Sequence, residues 1–349
     1  MATTEPQETN GVEQKPVRRR QTHGARLHLP FENRHKDAGE WAYDHRVGLS
    51  VMIICYLVLG IVFVGSKIIL NDKPHLQGIY IDLQDLETLA EEKGLLFLVT
   101  YTYMGHVTAK HIRCYIAEGK LGKIRTVMAE YPQGWLAYEG EWGGKQGEWR
   151  CDPKQSGGVN CLGDLGTHVE NAVSMLTGLK IRRVLAKMDV VVPGRVLDDN
   201  DVVLVEYEGG ATGCYWTSQF AIGHDNDLRV RIYGENGSIL WAQEECEKVT
   251  MIDRDGTIVE RHRGGGGIEP AAAKYGRLPA GHTEGWLESM GNLYRSFMEC
   301  LHAKKDGTFE PGMIDFPTVH DGAEGVRFVQ ACLQSNQQGN AWVTMDENA

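Results

Sequence analysis

The sequence predicts an α/β fold followed by an α+β fold. An incomplete parallel β-sheet is expected in residues 46–123, and a domain with an open, mostly antiparallel β-sheet and flanking helices in residues 124–349. Strand-like and helical patterns alternate up to Gly119, which is typical of a parallel sheet. From Ile124 onward short β-branched runs follow one another, and their links carry turn residues such as Asn236-Gly237.

The composition is that of a globular protein of 349 residues with a net charge of -11 at pH 7. Because the chain is acidic and has no basic stripe, nucleic acid is not an expected partner. The eight cysteines are scattered, without a C-x-x-C pair or a His/Cys cluster at zinc spacing. They are typical of reduced thiols in an intracellular protein. We therefore expect a cytoplasmic protein without a metal site.

The N-terminal region contains two segments of opposite character. Residues 1–45 are polar and mixed in charge, and we expect a disordered tail there. Residues 47–66 carry no charge and are long enough for a transmembrane helix, which predicts a membrane anchor as the alternative to a cytoplasmic location. The other interpretation is a pair of buried strands, Val51–Tyr56 and Ile61–Val64, because strands of a parallel sheet are also continuous apolar runs.

The alternation of strands and helices begins after this apolar segment. A short strand is predicted to end at Lys73-Pro74, since proline cannot continue a central strand. This places Lys73 at the carboxyl end of a strand, where open α/β sheets bind ligands. A helix near residues 83–90, a strand at Leu95–Thr100 and a helix at Ala109–Glu118 follow.

Strands dominate the second predicted domain, and two amphipathic helices close it. The predicted strands are Ile124–Tyr131, Val184–Val192, Val202–Tyr207, Thr212–Gln219, Leu228–Tyr233, Ser238–Trp241 and Val249–Ile252. The helices are predicted at Glu284–Leu301 and Val319–Leu333. The first of them is expected to bury Leu287, Leu293, Tyr294, Phe297 and Leu301.

The stretch from Cys161 to Gly178 contains the pattern that points most directly to catalysis. Apolar residues recur at helical spacing from His168, and Gly178 is a natural helix end. Asp164 and His168 are four residues apart, so one helical turn would place the carboxylate and the imidazole on the same side. A carboxylate near a histidine suits general acid–base catalysis. On spacing alone, a capping aspartate and a packed histidine are the commoner interpretation.

Several motifs in order resemble the glucose-fructose oxidoreductase / inositol dehydrogenase / rhizopine-catabolism (Gfo/Idh/MocA) family. The resemblance covers residues 73–343 and depends on Asp72-Lys73-Pro74, Gly119–Ile124, Gly163–His168, Arg229–Ser238 and the helix with Asn292-Leu293-Tyr294. It implies a Rossmann-like nucleotide-binding domain in residues 46–123 and a substrate and dimerisation domain after it. It also implies NAD or NADP as the cofactor and a sugar-like or polyol substrate.

Carried over by position, the resemblance implies catalytic roles for Lys73, Asp164 and His168. His168 would remove the hydroxyl proton, and Asp164 would orient its ring. Lys73 would polarise the substrate oxygen and, with Pro74, contact the cofactor. The cofactor carries the redox change itself.

The chain departs from the family pattern in its first 72 residues. Neither G-x-G-x-x-G nor the acidic residue that holds the ribose is present there. The Rossmann-like domain is therefore predicted to be truncated and to bind the cofactor weakly. Two functions remain open: an oxidoreductase of impaired activity, or a catalytically inactive relative that is a ligand-binding or dimeric structural protein.

Four further residues are candidates for substrate binding: Trp135, Lys145, Trp149 and Arg150. They lie in a glycine-rich loop, where aromatic rings can stack on the apolar face of a sugar, but loop packing explains them equally well. His282 is a weaker candidate. The second sheet is expected to present one broad apolar face, which predicts a homo-oligomer.

Overall fold

The computed structural model describes residues 86–138 and 144–345. The predicted tail 1–45, the apolar segment 47–66, Lys73 and Pro74 lie outside the described residues. Within the described ranges, one mixed β-sheet of nine strands is flanked by helices. This arrangement confirms the predicted sheet-and-helix class for the second domain, while the boundary at residue 123 stays a prediction.

The strands are β1 (Ile124–Pro132), β2 (Ile181–Asp189), β3 (Asn200–Tyr207), β4 (Thr212–Ser218), β5 (Arg229–Gly234), β6 (Gly237–Ala242), β7 (Lys248–Asp253), β8 (Ile258–His262) and β9 (Val343–Thr344). The α-helices are α1 (Val107–Ala117), α2 (Lys145–Arg150), α3 (Pro153–Ser156), α4 (Thr167–Thr177), α5 (Pro270–Ala273), α6 (Trp286–Asp306) and α7 (Val319–Gln337). Residues 86–92 are also helical.

The sheet is open and mostly antiparallel, as predicted. Its strand order is β8-β7-β6-β5-β1-β4-β3-β2-β9. Strand β1 lies near the centre, parallel to β4 and antiparallel to β5, so that Val127 has Gly213 on one side and Ile232 on the other. The remaining neighbours within the described residues are antiparallel.

One face of the sheet is buried under helices α1, α4 and α7. Strand β3 shows the alternation: Val203 and Val205 are buried in the core, whereas Val202 and Leu204 are 39% and 42% exposed on the opposite face. Each fully buried aliphatic side chain contributes about 1.5–3 kcal/mol. The same core includes Val169 of α4 and Phe328 of α7, which fixes the position of the segment with the predicted catalytic residues.

Helix α6 forms where it was predicted, but it buries a different face. Its fully buried residues are Ser289, Asn292, Leu293, Ser296, Cys300 and Ala303. Leu287 is 75% exposed and Tyr294 is 41% exposed, so the prediction for these two was wrong. The cause is close contact with Gly105, where an added Cβ would lie 2.0 Å from the Ser289 carbonyl oxygen. Only a glycine at position 105 permits that approach.

Residues 95–100 do not form the predicted strand. The segment has no regular secondary structure, Val99 N–H donates to the Pro317 carbonyl at 2.8 Å, and Leu96 and Leu98 pack beside Phe316. The described residues before β1 therefore contain helical elements and no strand. None of the helices within the described ranges has the length and hydropathy of a bilayer-spanning segment.

Candidate active site

The buried carboxylate of Asp198 fixes the loop that leads into α4. Asp198 accepts the backbone N–H groups of Asn160 and Leu162, both at 2.7 Å. A π turn, Leu162–Gly166, continues into α4, and Gly178 ends this helix with φ 69°. A positive φ suits glycine because it has no Cβ. The predicted helix and its end are thus confirmed, and Asp164 and His168 are held on one rigid segment.

Asp198 also belongs to a buried cluster with metal-binding residue types. One potential ligand atom each from Cys161, Asp198 and Asp201 lies within 4.8 Å of the others. Both oxygens of Asp198 are already used by backbone N–H groups, and Asp201 accepts a hydrogen bond from Thr217 at 2.9 Å. Burial, followed by the charge of Asp198, raises the pKa of Asp201 well above its ordinary value. These hydrogen bonds indicate that the cluster anchors the loop that leads into α4.

His168 lies among three tyrosine rings. Its ring centroid is 5.2 Å from those of Tyr101 and Tyr103 and 5.9 Å from that of Tyr131. Nδ1 is buried without a hydrogen-bond partner, so Nε2 is the nitrogen that can reach a ligand. Burial lowers the pKa of His168 to about 4, and the negative charge of Asp164 opposes this shift. The imidazole is therefore neutral at pH 7 and can accept a proton.

Asp164 is paired with Arg150. Arg150 donates to the carboxylate through Nε at 2.8 Å and through Nη2 at 3.0 Å. Gln219 adds a third hydrogen bond through Nε2 at 3.2 Å. The direct contact between Asp164 and His168 that their spacing suggested is absent, since His168 Nδ1 has no partner. The two side chains nevertheless line the same cavity.

The four loop candidates have different environments. Trp135 and Arg150 line the cavity with Asp164 and His168. The guanidinium of Arg150 stacks on Trp149 at 4.4 Å and lies 5.7 Å from Trp135. Lys145 is exposed at the start of α2 and is not part of the cavity wall. His282 is also exposed and outside the wall.

The cavity has a volume of about 730 Å³, within the range of small-molecule sites. Part of its wall is a closed hydrogen-bond ring: Tyr131 OH donates to Asn226 Oδ1 at 2.5 Å, Asn226 Nδ2 donates to Tyr103 OH at 2.8 Å, and the two hydroxyls lie 2.6 Å apart. Gln133 also donates to Asn226, at 2.7 Å. Sequence reasoning missed this ring, because its members are far apart in the chain.

Sequence reasoning also missed His224, which lines the same cavity. Its Nδ1 lies 2.7 Å from the buried Asp227 carboxylate. The signal that could have found it is local: a histidine and an aspartate three residues apart in the link between two predicted strands.

Comparisons with known proteins agree with this architecture. A family model described as the GFO/IDH/MocA C-terminal domain matches residues 109–240. The uncharacterized oxidoreductase YfiI of Bacillus subtilis (strain 168) is 33% identical over 265 residues, which are 74% of this chain and 67% of YfiI. The chain belongs to the Gfo/Idh/MocA family. The resemblance stated from the sequence motifs is thereby confirmed.

Solved structures of Gfo/Idh/MocA proteins share the fold. An inositol dehydrogenase homolog from Azotobacter vinelandii complexed with NAD+ has a TM-score of 0.71 and 31% identity over 78% of this chain and 70% of its own. The same homolog complexed with NADH and myo-inositol has a TM-score of 0.69 and 30% identity over 76% of this chain and 68% of its own. The roles that membership implies for Asp164, His168 and the candidate substrate residues remain predictions.

Proposed function

We propose that the protein is an NAD(P)-dependent oxidoreductase that acts on a CH–OH group of a polyol or sugar-like substrate. The observation that carries the proposal is one cavity that contains both Asp164 and His168, with His168 neutral at pH 7. The Gfo/Idh/MocA relatives named above support it, because one is an oxidoreductase and the other was crystallised with NAD+, NADH and myo-inositol.

The residues around the cavity fit the substrate side of such a reaction. Aromatic rings and hydrogen-bonding groups share the wall, the combination that recognises a sugar or polyol. His168 Nδ1 is buried and unpaired, which leaves Nε2 for the reacting hydroxyl. When bound, the nicotinamide supplies hydride acceptance or donation. Lys73 and Pro74, which we assign to the cofactor side, lie outside the described residues.

Proton transfer is the step that this chain's own residues perform. As the alcohol becomes a carbonyl, its hydroxyl proton moves to His168 Nε2. Asp164 favours the resulting imidazolium through its charge. Arg150 and Gln219 hold the carboxylate in place meanwhile. A base positioned in this way contributes about 10²–10⁴-fold to the rate.

The test is turnover of myo-inositol and related polyols with NAD+ or NADP+, followed by absorbance of the reduced cofactor. His168→Asn should lower kcat by about 10²–10⁴-fold with an unchanged melting temperature. His262→Asn is the matched control, because His262 lies on β8 outside the cavity wall. Equal turnover in the two variants would remove His168 from the mechanism.

One sequence observation favours the second candidate, a catalytically inactive ligand-binding relative. The dinucleotide fingerprint is missing from residues 1–72. Isothermal titration of the full chain with NAD(H) and NADP(H) separates the two functions. A dissociation constant in the millimolar range, about 4 kcal/mol of binding free energy or less, together with binding of a polyol, would support the ligand-binding protein. A micromolar constant would support the enzyme.

We also propose a homo-oligomer that forms through the open face of the sheet. Val202 and Leu204 of β3 are exposed there, and Leu204 lies opposite Cys214 of β4. Cys214 in turn lies opposite Met128 of β1. An exposed apolar patch on the sheet suits association with a second copy.

A further inference from the structure

His224 is a second imidazole in the cavity, and it is held differently from His168. Its Nδ1 lies 2.7 Å from Asp227 Oδ2, whereas Nδ1 of His168 has no partner. An ionised carboxylate can only accept a hydrogen bond, so Nδ1 of His224 carries the ring proton. In the neutral imidazole Nε2 is then the acceptor nitrogen, and no hydrogen bond joins it to another described side chain.

The Asp227 carboxylate that fixes this ring is buried and charged. Its side chain is 2% exposed, and Arg229 donates to it through Nε at 2.7 Å and approaches through Nη2 at 2.6 Å. Burial acts to raise the pKa of Asp227, but the hydrogen bonds from Arg229 and His224 hold it below its ordinary value. The arrangement is that of a histidine oriented by a carboxylate.

The link between β4 and β5 holds His224 in the cavity wall. Its carbonyl accepts the Gly134 N–H at 2.9 Å, which ties the link to the end of β1. Two residues later, Asn226 joins the ring of Tyr103 and Tyr131 that packs against His168. His224 and His168 are therefore fixed to one framework, and both line the same cavity.

We infer that His224 is a second substrate-binding residue, whose Nε2 accepts a hydrogen bond from a substrate hydroxyl other than the one that reacts at His168. An acceptor nitrogen requires a partner with a proton to donate. A hydroxyl has one, whereas an ionised carboxylate does not. This inference rests on the proposed function and narrows the substrate class to compounds with at least two hydroxyl groups.

Histidine NMR tests the inference on the full chain labelled with 15N-histidine. The His224 signals are identified by their loss in His224→Gln, and the His168 signals by their loss in His168→Asn. The free protein should show the Nδ1–H tautomer of His224. In Asp227→Asn, a second tautomer with a proton on Nε2 should appear, because the amide can donate as well as accept.

Two probes then separate the inference from the proposed function. Myo-inositol should shift both His168 and His224, whereas cyclohexanol, with one hydroxyl, should shift His168 alone. His224→Gln should weaken myo-inositol binding about tenfold by calorimetry, the effect of roughly one hydrogen bond. His262→Gln is the control, because its side chain is exposed and outside the cavity.

The remaining outcomes count against the inference, and the last of them counts against the proposed function as well. If myo-inositol shifts His168 but leaves His224 unchanged, the inference is overturned, and the proposed function, which turnover tests, is unaffected. The same holds if His224→Gln binds myo-inositol as tightly as the unmodified chain does while its melting temperature is unchanged. If a panel of polyols shifts neither histidine, the proposed function fails together with the inference.

Discussion

The Asp164 carboxylate is held by both Nε and Nη2 of Arg150, at 2.8 and 3.0 Å. In consequence Asp164 influences His168 through its charge and not through a hydrogen bond. The Arg150 guanidinium is itself fixed by the Trp149 ring at 4.4 Å and by Gln146 Oε1 at 2.8 Å. The position of the carboxylate in the cavity thus depends on α2.

Arg150→Lys should weaken myo-inositol binding about as much as Arg150→Ala does. A lysine cannot make the two parallel hydrogen bonds or stack its charge on Trp149 in the same way. We expect about a tenfold loss for each variant by calorimetry, and a fall of about 1 kcal/mol in the free energy of unfolding, since the pair is partly exposed. Lys154→Ala on exposed α3 is the control. Full rescue by lysine would contradict this account.

Two histidines, the buried His106 and the half-buried His168, make the folded chain sensitive to acid. Burial lowers the pKa values of His106 and His168 to about 4, from 6.5. The unfolded chain therefore binds more protons between these limits, and stability that is complete above pH 6.5 is lost as the pH falls to 4. Each residue accounts for at most about 3 kcal/mol. Urea unfolding at several pH values should show this fall in the free energy of unfolding, and His106→Gln should roughly halve it while His262→Gln leaves it unchanged.

Glu170 should change the free energy of unfolding with pH in the opposite direction to the two histidines. Burial, with the charges of Glu324 and Asp321, raises the pKa of Glu170 to about 8. The folded chain then holds a proton that the unfolded chain releases, so stability is complete below pH 4.5 and is lost as the pH rises to 8. Glu170→Gln cannot ionise, and we expect it to be more stable than the unmodified chain at pH 8, by at most about 5 kcal/mol.

This gain should shrink as the pH falls to 5, since the unmodified carboxyl is then protonated as well. The exposed Glu118→Gln provides the comparison, because the Glu118 side chain is 51% exposed. Equal stabilities of Glu170→Gln and the unmodified chain at both pH values would show that Glu170 is solvated.

The elements of the fold and the residue pairs of the site differ in whether the sequence could reveal them. Strand periods and turn residues are local, so the sheet and the end of α4 at Gly178 followed from the sequence. The buried face of α6 did not, because it is decided by Gly105, far away in the chain. The Arg150–Asp164 pair and the ring around Asn226 likewise depend on which segments the fold brings together. His224 and Asp227, in contrast, are only three residues apart, so this pair could have been predicted from the sequence.

The open face of the sheet yields the last prediction. Val202 lies opposite Trp216, and Leu204 opposite Cys214, so apolar side chains of β3 and β4 form one patch. Leu204→Glu adds a charge to a side chain that is 42% exposed, which should spare the fold but break an apolar interface. Light scattering at micromolar concentration should show an oligomer for the unmodified chain and a monomer for this variant. Val196→Glu is the control, because Val196 is 65% exposed outside the strands and should leave the oligomer intact. A monomeric unmodified chain would disprove the interface, because the exposed patch would then be stable in water without a partner.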